Sequence, residues 1–540
     1  MSLLKVSKAT QQILVPFTPS LQALSAALDP PTLTLNGTVF AVLPHTPRIQ
    51  IQLRAANIEC PAPILWHYDW DSADGEKPFA VQKATAALAT SHQRCYILND
   101  MGTGKTRSAL WAWKYLHLAG VAKKLLVVAP LSTLKFVWLR EIGNTMPDVK
   151  AVVLHGTREF RLDQLASDAD VFIINHDGLK TISEQLYQRT DIDSLILDEL
   201  AVYRNNSLRS KLMRDFARRF VWVWGMTGRP MPNEPTDVWA QCKIITPGTV
   251  PKYKRHARSA LMQQVSEYKW VPREGAIERA LRWMQPSVRY SLDDVVELPE
   301  AIFRTVDIEL SKDQATVYRR LSNEFAVLIK EQRITAVNAG VALGKLLQIG
   351  CGYVYSANPL YAKLDSTPRQ EVLLDLLDEA SHKVIVFAPW RHLIDNLSLL
   401  LAENEIDHAV VHGGTTKRET IFHAFQNTTQ YRVLLAHPAC IHHGVTLTAA
   451  TTIVWYSPVT SLEIYEQANA RIRRVGQKQK QLFLHIQATP VERKVYGMLR
   501  AKQRLQDQFL QLIKTSTANG DHGEEDVEES DGGYGDRRIA

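Results

Sequence analysis

Short runs of β-branched and other apolar residues recur along this chain, separated by stretches whose apolar positions fall at helical spacing. A continuous apolar run bounded by turn residues suits a strand buried on both faces, as in a parallel sheet covered by helices. One series comprises KLLVVAP (124–130), AVVLH (151–155), VFIIN (171–175), SLILDE (194–199) and VWVWGMTG (221–228). A second follows residue 365: KVIVFAP (383–389), AVVHGG (409–414), RVLLAH (432–437), TTIVWYS (451–457) and LFLHIQ (482–487). The alternation predicts an α/β protein with two parallel-sheet lobes, over 71–248 and 366–514. Residues 249–365 read as a more helical insertion between them, with the basic clusters PKYKRHAR and WVPREGAIERALRW. Residues 1–70 contain TLTLNGTVFAVLP and RIQIQLRAA, which alternate like strands, and read as a small, partly β extension.

Charge adds a partner class to this picture. The chain carries a net +7, although its final twenty residues hold eight acids against two arginines, so the body is more basic than the total suggests. A basic body suits a polyanion such as nucleic acid, and a solvated basic surface is the simpler alternative. The acidic stretch 515–540 is poor in apolar residues and is expected to be disordered. Five scattered cysteines lack CxxC spacing, which argues against a disulfide framework or zinc ribbon. His437, Cys440, His442 and His443 cluster without a standard zinc spacing. No run approaches a membrane span and no signal-peptide pattern opens the chain, so a cytoplasmic protein is expected.

Three stretches carry candidate chemistry. In ILNDMGTGKTRSALW (97–111) an apolar run leads through Gly102 and Gly104 into a helical pattern. Such a turn lets backbone N–H groups approach phosphate oxygens at a helix N-terminus. Lys105 would reach the β- and γ-phosphates and Thr106 would ligate Mg²⁺. Asn99 stands where the general pattern has glycine, and a plain glycine-rich turn is the alternative for this stretch alone. In SLILDEL the strand ends in Asp198 and Glu199; the first suits Mg²⁺ held through water, the second orientation or deprotonation of an attacking water. In YEQANARIRRVGQKQ (465–479), Gln467, Arg471 and Arg474 fall at helical spacing. The arginines' planar, permanently charged forks suit negative charge on a transferring phosphoryl group, and a solvated basic helix is the alternative.

Taken together and in order, these stretches resemble the helicase-like ATPases of superfamily two, in particular the Swi/Snf-type branch and its compact bacteriophage-encoded members. The resemblance covers about 75 to 505. KPFAVQ looks like the adenine-recognising segment, which puts Phe79 and Gln82 at the base. NDMGTGKT resembles the branch's phosphate loop, implying that Met101, Gly102, Thr103, Gly104, Lys105 and Thr106 bind nucleotide. VVAPLSTLKFVW, with Pro130 and Thr133, is similar to the next motif. LDELAVYRN takes the place of the acidic box, with Ala201 where many relatives have histidine. MTGRP resembles the segment that couples hydrolysis to movement through Thr227 and Gly228. HGVTLTAATTIVWY and QANARIRRVGQ resemble the last two motifs.

What the resemblance implies is two tandem RecA-like lobes, ATP and Mg²⁺ as ligands, and ATP-dependent translocation on DNA, double-stranded or forked. Lobe one would supply the phosphate turn and acids and lobe two the arginines, so that closure assembles the site. Lys105, Asp198, Glu199, Gln467, Arg471 and Arg474 form the expected catalytic set. Thr133, Arg204, Asn205, Thr227, Trp390, Arg391, Gly413 and Gly444 are the expected nucleic-acid contacts, Trp390 either stacking on a base or packing under its loop. The expected setting is phage DNA replication, recombination or fork remodelling. A strand-separating helicase on DNA or RNA and an ATP-switched loader of protein–DNA complexes are the alternatives.

Overall fold

The computed structural model describes residues 4–18, 21, 29–266, 270–292, 294, 299–330, 336–355, 361–441, 445–474 and 476–501. They form two compact units. Unit 1 takes residues up to Glu300 together with His442–Thr448 and Asn469–Gln479; unit 2 takes the remainder.

Unit 1 is built on a seven-stranded parallel sheet ordered Ser287–Val288, Arg94–Ile97, Trp222–Met226, Ile192–Leu197, Lys124–Ala129, Val171–Asn175, Ala151–Val153. Its strands are buried on both faces because alternate residues serve separate cores. Tyr96, Leu126, Val128, Leu195, Leu197 and Val223 pack on one side. Cys95, Ile97, Leu125, Val127, Ile196, Trp222 and Trp224 pack on the other. This is why the sequence reads as continuous apolar runs rather than an alternation. Since all neighbours are parallel, every strand delivers its following turn to one edge of the sheet, the edge where α/β proteins bind ligands.

Unit 2 has a six-stranded parallel sheet ordered Ala301–Asp307, Gln481–Gln487, Ala450–Trp455, Lys383–Phe387, Val433–Ala436, His408–Val411. The stretch 249–365 is divided between the units. Up to Glu300 it belongs to unit 1, where Ser287–Val288 becomes an edge strand beside Arg94–Ile97. From Ala301 it belongs to unit 2, where Ala301–Asp307 pairs along Gln481–Gln487 over its whole length.

The N-terminal part of unit 1 is a four-stranded antiparallel sheet, Lys5–Ser7, Gln12–Pro16, Thr38–Pro44 and Thr32–Leu35. RIQIQLRAA is not a strand: Pro47–Ala55 is a helix. The Thr46 hydroxyl accepts from the Ile49 N–H at 3.4 Å, and Pro47 supplies a first helical residue that needs no hydrogen bond. Ile49 and Leu53, one helical turn apart, are the buried apolar pair, so the local cap outweighed the apparent alternation. The acidic stretch 515–540 lies outside the described residues. Among the described residues no helix is long and apolar enough to cross a membrane.

Candidate active site

The phosphate turn joins the strand Arg94–Ile97 to the helix Lys105–Leu118. Gly102 and Gly104 have φ of 85° and 78°, the left-handed region that glycine enters without steric cost. Space demands glycine too: a Cβ on Gly104 would collide with the Gln82 amide, and one on Gly102 would lie 3.3 Å from Leu292 and 3.5 Å from Arg474. Asn99, where the general pattern has glycine, is a brace. Its amide donates to Thr85 Oγ1 (2.8 Å), and its carbonyl oxygen accepts from the Tyr290 N–H (3.0 Å). Thr103 closes the turn by donating to Asp100 O (2.8 Å).

Lys105 bends back into its own turn, where Nζ donates to Asn99 O (2.7 Å) and Asp100 O (2.8 Å). Burial lowers its pKa, against the pull of Glu199, Asp198 and Asp100, and Arg474 lowers it further. Neutral carbonyls hold this ammonium at rest, and phosphate oxygens would offer stronger, charge-assisted partners.

The acid pair follows the strand Ile192–Leu197. The Asp198 N–H donates to Val128 O (2.9 Å), extending the sheet by one bond. Its carboxylate accepts from the Trp138 indole N–H (2.9 Å) and from the Glu199 N–H (3.0 Å). Burial raises the Asp198 pKa, while Trp138, Lys105 and the Glu199 N–H favour its ionised form. Glu199 sits at φ 51°, ψ 53°, a left-handed conformation costing roughly 1–2 kcal/mol for a residue with a side chain.

The arginines do not share a helix with Gln467. The helix Leu462–Asn469 stops short of them, and 470–474 is a sequence of turns. Gln477 stabilises this bend by donating to Thr448 O (3.2 Å) and Ile472 O (3.4 Å). Arg471 and Arg474 converge on Val445 O at 3.3 and 3.4 Å, and Arg471 reaches the Met101 sulfur at 4.0 Å. Burial and the charge of Arg474 depress the Arg471 pKa, with Glu199 acting in the opposite sense. Burial likewise depresses Arg474, opposed by Glu141. The segment Asn469–Gln479 clusters with unit 1, so both arginines belong to the compact unit that holds the phosphate turn. Gln467 falls in unit 2 and donates to Glu463 Oε1 (3.3 Å).

Of the other expected residues, Gln82 accepts from the Phe79 N–H (2.9 Å), which holds half-buried Phe79 at the start of the helix Ala80–Ser91. Thr106 lies in the first turn of Lys105–Leu118. Thr133 and Thr227 are only 5% and 1% exposed. The Thr133 hydroxyl is spent on Pro130 O (2.8 Å), and Thr227 Oγ1 accepts from the Arg229 N–H (3.2 Å). Neither side chain presents itself to a nucleic acid in this structure. Arg204 donates to Ala201 O (3.2 Å), and Asn205 is exposed. In unit 2, Trp390 packs partly against the core, Arg391 is exposed beside Asp395 (3.9 Å), and the exposed Gly413 accepts from Arg418 (2.8 Å). Gly444 lies outside the described residues.

Several supporting residues escaped sequence reasoning. Arg107 pairs with Asp74 (2.6 Å), Glu76 (2.8 Å) and Glu141, tying the segment before Phe79 to the helix after the phosphate turn. Trp138 orients Asp198. Gly228, by contrast, was expected from the MTGRP stretch, and it brings that segment against the turn: a Cβ there would lie 3.4 Å from Asn99 O, the carbonyl that holds Lys105. For Trp138 the one advance signal was its place inside the stretch VVAPLSTLKFVW.

The assembly is a group of buried cations around a turn that requires glycine, with two carboxylates at the end of Ile192–Leu197, two strands along the sheet from Arg94–Ile97. That donor set fits a polyphosphate. The Thr106 hydroxyl and the Asp198 carboxylate are hard oxygen donors of the kind Mg²⁺ takes.

Comparison with known proteins bears on this site. Residues 64–349 match the SNF2-related domain and residues 368–476 the helicase conserved C-terminal domain. The chain is 25% identical to protein p41 of Acyrthosiphon pisum secondary endosymbiont phage 1, over 78% of this chain and 95% of p41. It is 23% identical to the uncharacterized ATP-dependent helicase MG018 of Mycoplasma genitalium and 24% identical to the ISWI chromatin-remodeling complex ATPase ISW1 of Saccharomyces cerevisiae. Those matches cover 76% and 78% of this chain, which spans only 39% of each of those two proteins. Among solved structures, the Sulfolobus solfataricus SWI2/SNF2 ATPase core in complex with dsDNA aligns over 82% of this chain and 94% of that one, at 18% identity and a TM-score of 0.38.

Proposed function

The chain belongs to the SNF2-related family of helicase-type ATPases, and from that premise we propose that it hydrolyses ATP to move along duplex DNA. The observation that carries the reading is the grouping of Lys105, Arg471 and Arg474 with Asp198 and Glu199 around one glycine turn in unit 1.

In this reading Lys105 exchanges the carbonyls of Asn99 and Asp100 for β- and γ-phosphate oxygens, and the turn's N–H groups bind the same phosphates. Thr106, and Asp198 through water, would hold Mg²⁺, which would supply charge to offset that developing on the phosphoryl oxygens. Glu199 orients and deprotonates the attacking water, its direction fixed by the left-handed backbone. Arg471 and Arg474 stabilise charge on the transferring group, and their depressed pKa values mark a site in which added negative charge is favourable. Phe79 and Gln82 meet the base. Gly228, against the peptide that anchors Lys105, connects a change in the turn to the strand Trp222–Met226.

Grips on the phosphodiester backbone come from exposed polar groups, with Asn205, Arg391 and Gly413 better presented than Thr133 or Thr227. Similarity over nearly the whole of a phage protein supports work on phage DNA, in replication, recombination or fork remodelling within the host cytoplasm. The test is ATPase rate with single-stranded DNA, duplex, forks and RNA, paired with triplex displacement. Duplex-stimulated turnover with triplex displacement is the expected result. Strand displacement without it would favour an unwinding helicase; slow turnover with neither would favour an ATP-switched loader.

A further inference from the structure

We propose that His176 is a positioning residue for Glu199, acting through Tyr203. The inference rests on the reading that Glu199 activates water.

Glu199 opens a single helical turn, Leu200–Tyr203, in which the Val202 N–H donates to Glu199 O (2.9 Å). One turn cannot sustain itself, because fixing its dihedrals gains too few hydrogen bonds. A left-handed residue at its head persists only where the surroundings dictate it. Three packing features do so. Asp198 accepts the Glu199 N–H from the front. Leu200 is fully buried in space opened by Gly225, where any Cβ would lie 2.6 Å from its Cδ2. At the far end Tyr203 is fully buried, and its hydroxyl meets His176 Nδ1 at 2.8 Å with the rings edge to face at 5.3 Å.

His176 comes from a different place in the sheet. It follows the strand Val171–Asn175, which is separated from the acid-bearing strand Ile192–Leu197 by Lys124–Ala129. The contact therefore crosses a whole strand at the catalytic edge. Burial and Arg209 keep this imidazole neutral, while Asp177 and the Asp198 main chain act the other way. A neutral ring can accept a hydrogen bond from the tyrosine hydroxyl on Nδ1, or donate one to it, without placing a further charge beside the acids. The bond from Nδ1 to Tyr203 ties the ring to the distal end of the turn, while the Asp198 main chain acts on it from the other strand end. Releasing that bond frees the distal end of the turn, and with it the direction in which Glu199 points. Displacements of about 1 Å at a catalytic group cost on the order of 100-fold in rate.

The experiment measures ATP turnover and ATP-analogue affinity in the full chain for Tyr203→Phe, His176→Ala, His176→Gln and the double variant Tyr203→Phe/His176→Ala, with Glu199→Gln alongside. The expected result is kcat lowered about 10- to 100-fold in Tyr203→Phe and His176→Ala, with analogue affinity within about twofold of wild type. The double variant is expected to match the worse single variant, since the two residues act as one unit. His176→Gln, whose amide can still bond the phenol, is expected to recover most of the rate. Tyr203→Phe removes one oxygen only, so it remains informative if His176→Ala does not fold. Wild-type kcat in Tyr203→Phe would overturn the proposal, as would additive losses in the double variant or kcat and affinity falling in parallel. A Glu199→Gln variant that hydrolyses normally would instead overturn the water-activating reading beneath it.

Discussion

Lys105 of unit 1 and Arg369 of unit 2 are both cations turned onto backbone carbonyls, yet their surroundings differ in kind. Arg369 donates to Tyr456 O (2.6 Å) and also to Glu492 (2.6 Å), with the two side chains 1% and 0% exposed. Glu492 in turn accepts from the Ala488 N–H (2.8 Å), the Thr489 N–H (3.0 Å) and the Thr489 hydroxyl (3.1 Å), capping the helix Pro490–Arg500. This cation is matched by a carboxylate inside a network that already joins several elements. Lys105 donates to the uncharged carbonyls of Asn99 and Asp100, and Arg474 to that of Val445 at 3.4 Å, while the carboxylates of Asp198 and Glu199 act on Lys105 through their charge. A buried charge held by weak partners is costly unless a stronger one arrives. The difference separates a charge matched within the fold from charges that, under the proposed function, would meet a ligand's phosphates.

The comparison breaks at four points, from the largest expected effect to the smallest. Glu199→Gln is expected to slow hydrolysis by about 1,000-fold or more while nucleotide binding persists, because an amide cannot take the proton from water. Unchanged single-turnover hydrolysis would remove Glu199 from that role. Arg369→Ala leaves Glu492 buried and uncompensated, so about 3–5 kcal/mol of stability should vanish. Denaturant unfolding checks this, and Arg474→Ala should cost far less on the same measurement.

Acid should act on both units. Burial pushes His176 in unit 1 and His485 in unit 2 down to about 4. The unfolded chain, titrating near 6.5, binds protons that the folded chain refuses. Stability from this source is therefore complete above about pH 6.5 and is lost as the pH falls toward 4, by up to about 3 kcal/mol per histidine. Melting curves from pH 7.5 to 5 should show the loss, and a flat response would mean that neither ring is held neutral. The smallest effect belongs to Gly228→Ala. Its new methyl would sit 3.4 Å from Asn99 O, ordinary contact at the limit, so turnover should change less than about threefold.

Legibility in the sequence followed the range of the interactions. Both parallel sheets could be read because their strands are buried on two faces, leaving unbroken apolar runs such as KLLVVAP and KVIVFAP. The glycine turn and the acid pair could be read because each is a local device. The helix Pro47–Ala55 was obscured because Ile49, Ile51 and Leu53 mimic a strand, while its decisive Thr46–Pro47 start occupies only two positions. The bend after Asn469 was obscured because Gln477 creates it by bonding backward to Thr448. Partners such as Asn99 with Tyr290, 191 residues apart, leave no periodic trace at all. Nor do Trp138 with Asp198 or His176 with Tyr203, which meet only once the sheet has formed.

The distinction between matched cations and those proposed to meet phosphate is tested most directly by the affinity ratio of a non-hydrolysable ATP analogue to ADP, measured for the full chain, Lys105→Ala and Arg474→Ala. If these cations await phosphate, wild type should favour the analogue, and each variant should lose most of that preference while retaining the fold. A ratio identical in all three proteins would contradict it, since the γ-phosphate would then owe nothing to either charge.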